Sequence, residues 1–162
     1  MSAASRPRVS AAIICQDEEA RLAACLDSVA WCDEIVVVDS GSADASVEIA
    51  RKRATRVLSN PWPGYVAQKN FALDRASHDW VVCIDADEAI SPELAANIRG
   101  ALARDDGRFG GYALDRVTWY LGVWHDLGEW YPDWQLRVFR RSRGHWGGLD
   151  PHDRVEVDGP VQ

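Results

Sequence analysis

Three acidic side chains follow an apolar run in the middle of the sequence. The stretch WVVCIDADEAISPE (residues 80–93) places Asp85, Asp87 and Glu88 directly after VVCI. Carboxylates this close repel one another, and a cation bound between them relieves the repulsion. The spacing therefore predicts either a metal site at the end of a strand or a turn whose acids face solvent.

Strands and helices alternate around this stretch. Residues 9–15, 34–39 and 80–84 are apolar runs typical of strands covered on both faces, and a short strand is predicted near residues 56–59. Helical patterns lie between them, and one helix is predicted to begin with Ser91 as cap and Pro92 in its first turn. The alternation predicts right-handed crossovers and a mostly parallel sheet.

Acids also follow the first two predicted strands. Asp17, Glu18 and Glu19 come after the first strand, and Asp39 ends the second. A single acid after a strand is commonly a helix cap, and we expect Asp17 to cap the first helix. Ligands of parallel sheets bind beyond the carboxyl ends of the strands. Acids after three strands therefore indicate a shared binding edge.

Composition limits the classes of function. The chain of 162 residues has a net charge of −7 and a pI of about 5.0, which argues against a nucleic-acid partner. Four cysteines without a C-x-x-C pair indicate a reducing compartment, and no apolar run approaches the ~20 residues of a membrane span. We expect a cytoplasmic protein that contacts a membrane surface at most peripherally.

The ordered motifs of the chain resemble the family-2 glycosyltransferases, which are inverting enzymes of the GT-A fold. Within that family they are most similar to the lipopolysaccharide core beta-glucosyltransferase branch. The D-x-D motif alone is a weak signal, but the ordered set is specific. The segments are IICQDEEARLAACLDSV, DEIVVVDSGSADAS, GYVAQKNFAL, WVVCIDADE, YPDWQLRVFRR and PHDRVEV.

The resemblance implies a single α/β domain over residues 1–162. Its nucleotide-binding half, residues 1–106, would be a Rossmann-like, mostly parallel sheet flanked by helices. A smaller antiparallel acceptor-side half, residues 107–162, is expected to be truncated at its C terminus. This half is rich in tryptophan, and its aromatic rings suit either the faces of sugars or the packing of a second core layer.

The resemblance also implies a UDP-sugar donor, with glucose the expected sugar. Glu18 and Asp39 match acids that contact the uridine, and Asp87 matches a direct ligand of Mg²⁺ or Mn²⁺. Asp85 would reach the ribose or a water on the metal. On an extended segment Asp85 and Asp87 would point the same way. Lys69 either faces the diphosphate or is a solvated surface lysine.

An inverting enzyme needs a general base to deprotonate the hydroxyl of its saccharide or lipid-linked saccharide acceptor. The PHD segment resembles a His-Glu motif of the branch, which makes Asp153 the first candidate and His152 a metal or phosphate contact. Asp133 is the second candidate. The alternatives are that Asp133 is a cap or an arginine partner and that His152 is a surface loop residue.

Two other functions remain open from the sequence. A phosphatase of the haloacid dehalogenase type also places a D-x-D motif after an apolar strand, although Glu88 is unusual after such a motif. A non-catalytic sugar-nucleotide-binding fragment is the other. Release of UDP from a UDP-sugar separates the transferase from both.

Overall fold

The structure is a computed structural model that describes residues 6–128 and 131–162. Strands and helices alternate in the first part of the chain, and the second part consists of strands. The elements of the first part are β1 Val9–Cys15, α1 Leu22–Ser28, β2 Glu34–Asp39, α2 Ser46–Arg53, β3 Arg56–Ser59, α3 Tyr65–Asp74, β4 Trp80–Cys83 and α4 Pro92–Ala103. Those of the second part are β5 Gly111–Asp115, β6 Thr118–Tyr120, β7 Val123–His125, β8 Trp134–Arg140, β9 Gly144–Leu149 and β10 His152–Val157.

A six-stranded sheet forms the centre of the fold, in the order β3-β2-β1-β4-β8-β5. The first four strands of that order are parallel, and β8 runs antiparallel to both of its neighbours. The predicted α/β fold with a mostly parallel sheet is therefore confirmed. Because β8 lies between β4 and β5, residues from both sequence halves build the same sheet.

Both faces of β1, β2 and β4 are buried, which explains their largely apolar sequences, whereas β3 at the edge of the sheet is partly exposed. Successive residues of a strand point to opposite faces. Ala11 and Ile13 of β1 pack in one core cluster with residues of α1 and α4, whereas Ala12 packs in a second cluster with residues of α3. The helices therefore cover both faces of the sheet.

The helix ends agree with the sequence at α4 and differ at α1. Ser91 Oγ accepts a hydrogen bond from the Leu94 amide, as predicted for a cap before Pro92. The predicted Asp17 cap is wrong, because α1 begins only at Leu22 and the Asp17 carboxylate accepts from the amide of Ala43 in the next loop. Residues 17–21 instead lie in the loop that follows β1, and this loop is hydrogen-bonded to the loop that follows β2.

The tryptophans divide between the core and the surface. Trp80 and Trp146 are buried, whereas Trp119 and Trp124 are exposed in the hairpin formed by β6 and β7. Trp130 lies outside the described residues. Among the helices that are described, none is long and apolar enough to cross a membrane.

Candidate active site

The acids predicted to share one edge of the sheet do so. Since β1 lies between β2 and β4 and all three are parallel, the loops that follow them emerge at the same edge. Asp39 ends β2 in register with Cys15, the last residue of β1. Asp85 follows β4 after Ile84. This edge is therefore the candidate site.

The D-x-D motif forms a turn rather than an extended segment. The amide of Glu88 donates to the Asp85 carbonyl at 2.9 Å, and the Asp85 amide donates to a Glu88 carboxylate oxygen at 3.0 Å. The expectation that Asp85 and Asp87 point the same way from an extended backbone is therefore wrong. The turn directs Asp85 into the site and leaves Asp87 half exposed.

Two cations bind the Asp85 carboxylate. Lys69 Nζ lies 2.9 Å from Oδ1, and Arg137 Nη2 lies 3.3 Å from Oδ2. Burial acts to raise the pKa of Asp85, but the two cations outweigh it and hold the pKa below its ordinary value. Asp85 is therefore a carboxylate at neutral pH, as a metal or hydrogen-bonding role requires.

Lys69 joins the D-x-D motif to the first base candidate. Its Nζ is 2.8 Å from Asp153 Oδ2 and lies 4.3 Å from the ring centroid of Trp146. The Lys69 side chain is only 8% exposed, so the alternative of a solvated surface lysine is wrong. Asp85 and Asp153 therefore share one buried ammonium.

Further ion pairs continue from Asp85 to the second base candidate. Arg137 lies 2.9 Å from Glu88, Arg116 lies 3.3 Å from Glu88, and Arg116 lies 2.7 Å from Asp133. Carboxylates and cations alternate along this series, so each charge has an opposite neighbour. We call the series the ion-pair chain, and its members in order are Asp153, Lys69, Asp85, Arg137, Glu88, Arg116 and Asp133.

The two base candidates lie at opposite ends of the ion-pair chain. Asp133 accepts hydrogen bonds from Gln135 and Arg116, and its own amide donates to Asp115. Burial acts to raise the pKa of Asp133, but the bonds from Gln135 and Arg116 lower it below the ordinary value. A lowered pKa makes a weaker proton acceptor. The structure thus gives Asp133 the arginine partner that the sequence left as an alternative.

The nucleotide candidates have different surroundings. Glu18 pairs with Arg21 at 2.7 Å, and Arg21 also lies 3.8 Å from Asp87. Asp39 is buried, and its carboxylate accepts hydrogen bonds from both amides of residues 41–42 and from the Ser42 hydroxyl. Arg21 therefore brings Glu18 next to the D-x-D turn, whereas Asp39 is bound within its own turn.

The donor set fits a metal ion that arrives with a nucleotide. Within residues 6–128 and 131–162 no three His, Cys, Asp or Glu side chains gather to hold a metal by themselves, and His152 is exposed at the start of β10. Mg²⁺ bound with a nucleotide takes one or two carboxylates, and phosphates and water supply the remaining ligands. Asp85 and Asp87 are the carboxylates at this edge that would hold such an ion, and the ligand roles of Asp85, Asp87 and His152 stay predictions.

Sequence reasoning missed the arginines of the site. Arg137 was visible only as one member of a basic cluster in RVFRR, and neither Arg21 nor Arg116 was singled out. Arg137 is 7% exposed, and burial of an arginine requires paired carboxylates. Its position within the apolar pattern of β8 was the available signal.

Comparison with known proteins identifies the relatives of this fold. Residues 10–156 match the family model described as Glycosyl transferase family 2. The lipopolysaccharide core biosynthesis glycosyltransferase LpsC of Rhizobium meliloti (strain 1021) is 35% identical over 159 residues, which cover 94% of this chain and 58% of LpsC. The chain thus spans little more than half the length of that relative.

Solved structures of glycosyltransferases share the fold. The mannosyltransferase PcManGT from Pyrobaculum calidifontis, in complex with GDP-Man and Mn²⁺, has a TM-score of 0.58 and 26% identity, covering 70% of this chain and 37% of its own. Glucosyl-3-phosphoglycerate synthase from Mycobacterium tuberculosis, in complex with Mn²⁺, UDP and glucosyl-3-phosphoglycerate, has a TM-score of 0.51 and 27% identity. The match covers 62% of this chain and 41% of the synthase chain.

Proposed function

The chain belongs to glycosyl transferase family 2, and from that premise we propose that it transfers a sugar from a UDP-sugar to a saccharide or lipid-linked saccharide. The name of LpsC supports an acceptor in the lipopolysaccharide core. Glucose is the proposed sugar, from the resemblance of the motifs. The observation that carries the proposal is the shared Lys69 ammonium, which places the D-x-D residue Asp85 beside the candidate base Asp153.

Asp153 is the proposed general base. The acceptor hydroxyl oxygen attacks the anomeric carbon from the face opposite UDP, and the Asp153 carboxylate takes its proton. The bond between the anomeric carbon and the UDP oxygen breaks, and UDP leaves with the electron pair. Inversion follows because the bond forms and breaks on opposite faces. Asp133 is the second candidate, and Asp153 is preferred because it shares the Lys69 ammonium with the D-x-D residue Asp85.

The donor is proposed to bind at the loops after β1, β2 and β4. Glu18 and Asp39 would accept hydrogen bonds from the uridine base or ribose hydroxyls. Lys69 would face the diphosphate. A Mg²⁺ or Mn²⁺ ion held by Asp87 and Asp85 would supply positive charge against the departing diphosphate. The Mn²⁺ in the complexes of the two structural relatives supports this cofactor.

The acceptor side is proposed to include the strands of the second half. The β6–β7 hairpin exposes Trp119 and Trp124, whose rings lie 5.1 Å apart. Exposed aromatic rings suit sugar faces, and they also suit the interfacial zone of a bilayer. Peripheral contact of the protein with the cytoplasmic face of the inner membrane therefore stays part of the proposal.

The experiment measures UDP released from UDP-glucose in the presence of Mn²⁺, with water in place of the acceptor. Loss of a general base lowers such a rate by about 100- to 10,000-fold. We expect that loss for Asp153→Asn, with UDP affinity kept, and a smaller loss for Asp133→Asn. The opposite ranking would move the base to Asp133. Metal-dependent UDP binding without any UDP release in the wild-type chain would favour the non-catalytic fragment.

A further inference from the structure

The element that carries Asp153 lies outside the six-stranded sheet. Among the described strands, β9 and β10 pair only with each other. Val155 and Val157 of β10 pack against the second core cluster, but Asp153 lies nearer the turn of the hairpin. Backbone pairing to the main sheet therefore does not fix the position of the Asp153 carboxylate.

Asn70 of α3 binds the backbone of β9. Its Nδ2 donates to the Trp146 carbonyl at 2.8 Å, and its Oδ1 accepts from the Trp146 amide at 2.9 Å. The side-chain amide thus satisfies both backbone groups of one strand residue. Asn70 follows Lys69 in α3, so these two hydrogen bonds hold the β9–β10 hairpin next to the residue that carries the ammonium.

Asp150 attaches the turn of the same hairpin to the start of α3. Its two carboxylate oxygens accept from the amides of Tyr65 and Val66, each at 3.0 Å. Helix α3 has no cap of its own, because Gly64 stands at the N-cap position. A Cβ at Gly64 would overlap Asp150 Oδ2, so the absence of a side chain there admits the carboxylate. The negative charge also suits the positive end of the helix dipole.

We propose that Asn70 and Asp150 are positioning residues that hold the β9–β10 hairpin on α3 and so place the Asp153 carboxylate. The inference rests on the proposed function, in which Asp153 is the base. Helix α3 supplies Lys69 as well, so the two contacts set the 2.8 Å distance between Lys69 and Asp153. Displacement of a reacting group by about 1 Å costs up to about 100-fold in rate.

The test compares Asp150→Asn, Asp150→Ala and Asn70→Ala with the wild-type chain. Asp74→Asn is the matched control, because Asp74 is exposed at the end of α3 and carries the same change of charge. We expect UDP release from UDP-glucose to fall about 10- to 100-fold in kcat, with KM for UDP-glucose unchanged. Asp150→Asn keeps one acceptor oxygen, so it should retain more activity than Asp150→Ala. The control should behave as wild type.

Hydrogen exchange and a comparison in the Asp153→Asn variant distinguish displacement of Asp153 from a general loss of folded structure. Peptides spanning residues 144–157 should exchange faster in the Asp150 and Asn70 variants, whereas peptides of β1 and β2 should not change. In the Asp153→Asn background the same changes should cause no further loss of UDP release. A further loss of UDP release in the Asp153→Asn background would overturn the positioning role. An unchanged kcat in each of the Asp150 and Asn70 variants would overturn it too, and either result would leave Asp153 as the base. Wild-type activity of Asp153→Asn would overturn the proposed base itself.

Discussion

Replacing Lys69 with methionine tests the central contact of the site. Methionine keeps most of the side-chain volume but removes the ammonium that Asp85 and Asp153 share. Removing one partner of a buried ion pair costs about 3–5 kcal/mol. Asp85 is partly exposed and keeps Arg137, so we expect the lower end of that range, about 3 kcal/mol in the free energy of unfolding.

Thermal unfolding measures the effect. For chains of about 150–250 residues, 1 kcal/mol shifts Tm by about 2–4 °C, which gives a decrease of about 6–12 °C for Lys69→Met. Lys52→Met is the matched control, because Lys52 is the only other lysine and pairs with Glu48 on the surface. An exposed pair of this kind contributes about 0.5 kcal/mol, so the control should lose about 2 °C at most.

A double variant identifies the cause. If an unpaired Asp153 carboxylate destabilises Lys69→Met, then adding Asp153→Asn should restore part of the lost Tm, with a coupling of about 1–3 kcal/mol. Equal unfolding temperatures for Lys69→Met and Lys52→Met would refute the reasoning. Additive losses in the double variant would show that Asp153 and Lys69 do not interact.

Three further predictions concern the pocket, the sheet and the hairpin. Asp39→Ala should weaken binding of UDP and UDP-glucose equally in calorimetry, whereas the change Asp74→Asn at the exposed end of α3 should not; weakening of UDP-glucose alone would place Asp39 at the sugar. Burial acts to raise the pKa of Glu34, but hydrogen bonds from Ser10 and Ser77 and the charge of Arg56 lower it below the ordinary value of 4.5. Glu34→Gln should therefore reduce the free energy of unfolding at pH 7, and the difference from wild type should shrink as the pH falls below about 4.5. A difference that does not change with pH in denaturant titrations would refute this prediction. Replacing Trp119 by Ser should reduce sedimentation with anionic vesicles and leave UDP binding unchanged; unaltered sedimentation would remove this hairpin from the membrane contact.

Local patterns predicted the framework of the site. The apolar runs of β1, β2 and β4 are continuous because helices cover both sheet faces, and this burial is readable from residue types alone. Parallel neighbours then bring the loop acids to one edge. The placement of Asp39 and Asp85 at that edge follows from the order of strands and helices alone.

Contacts between distant segments could not be predicted in this way. Lys69 and Asp153 are 84 positions apart, and their pairing depends on how the β9–β10 hairpin folds over α3. The turn at residues 85–88 depends on the Glu88 carboxylate reaching the Asp85 amide, which the spacing of the acids does not specify. Asp17 was misassigned for a related reason, because its partner Ala43 lies in another loop.

The most direct test of the account is calorimetric titration of the chain with UDP, in Mn²⁺ and in a chelator. We predict that UDP binds only with Mn²⁺, that Asp87→Asn greatly weakens the binding, and that Asp74→Asn leaves it unchanged. Asp87 borders the donor edge, whereas Asp74 ends α3 in solvent. Equal UDP affinity with and without the metal, or equal effects of the two substitutions, would contradict the claim that the D-x-D turn holds a metal ion for the nucleotide.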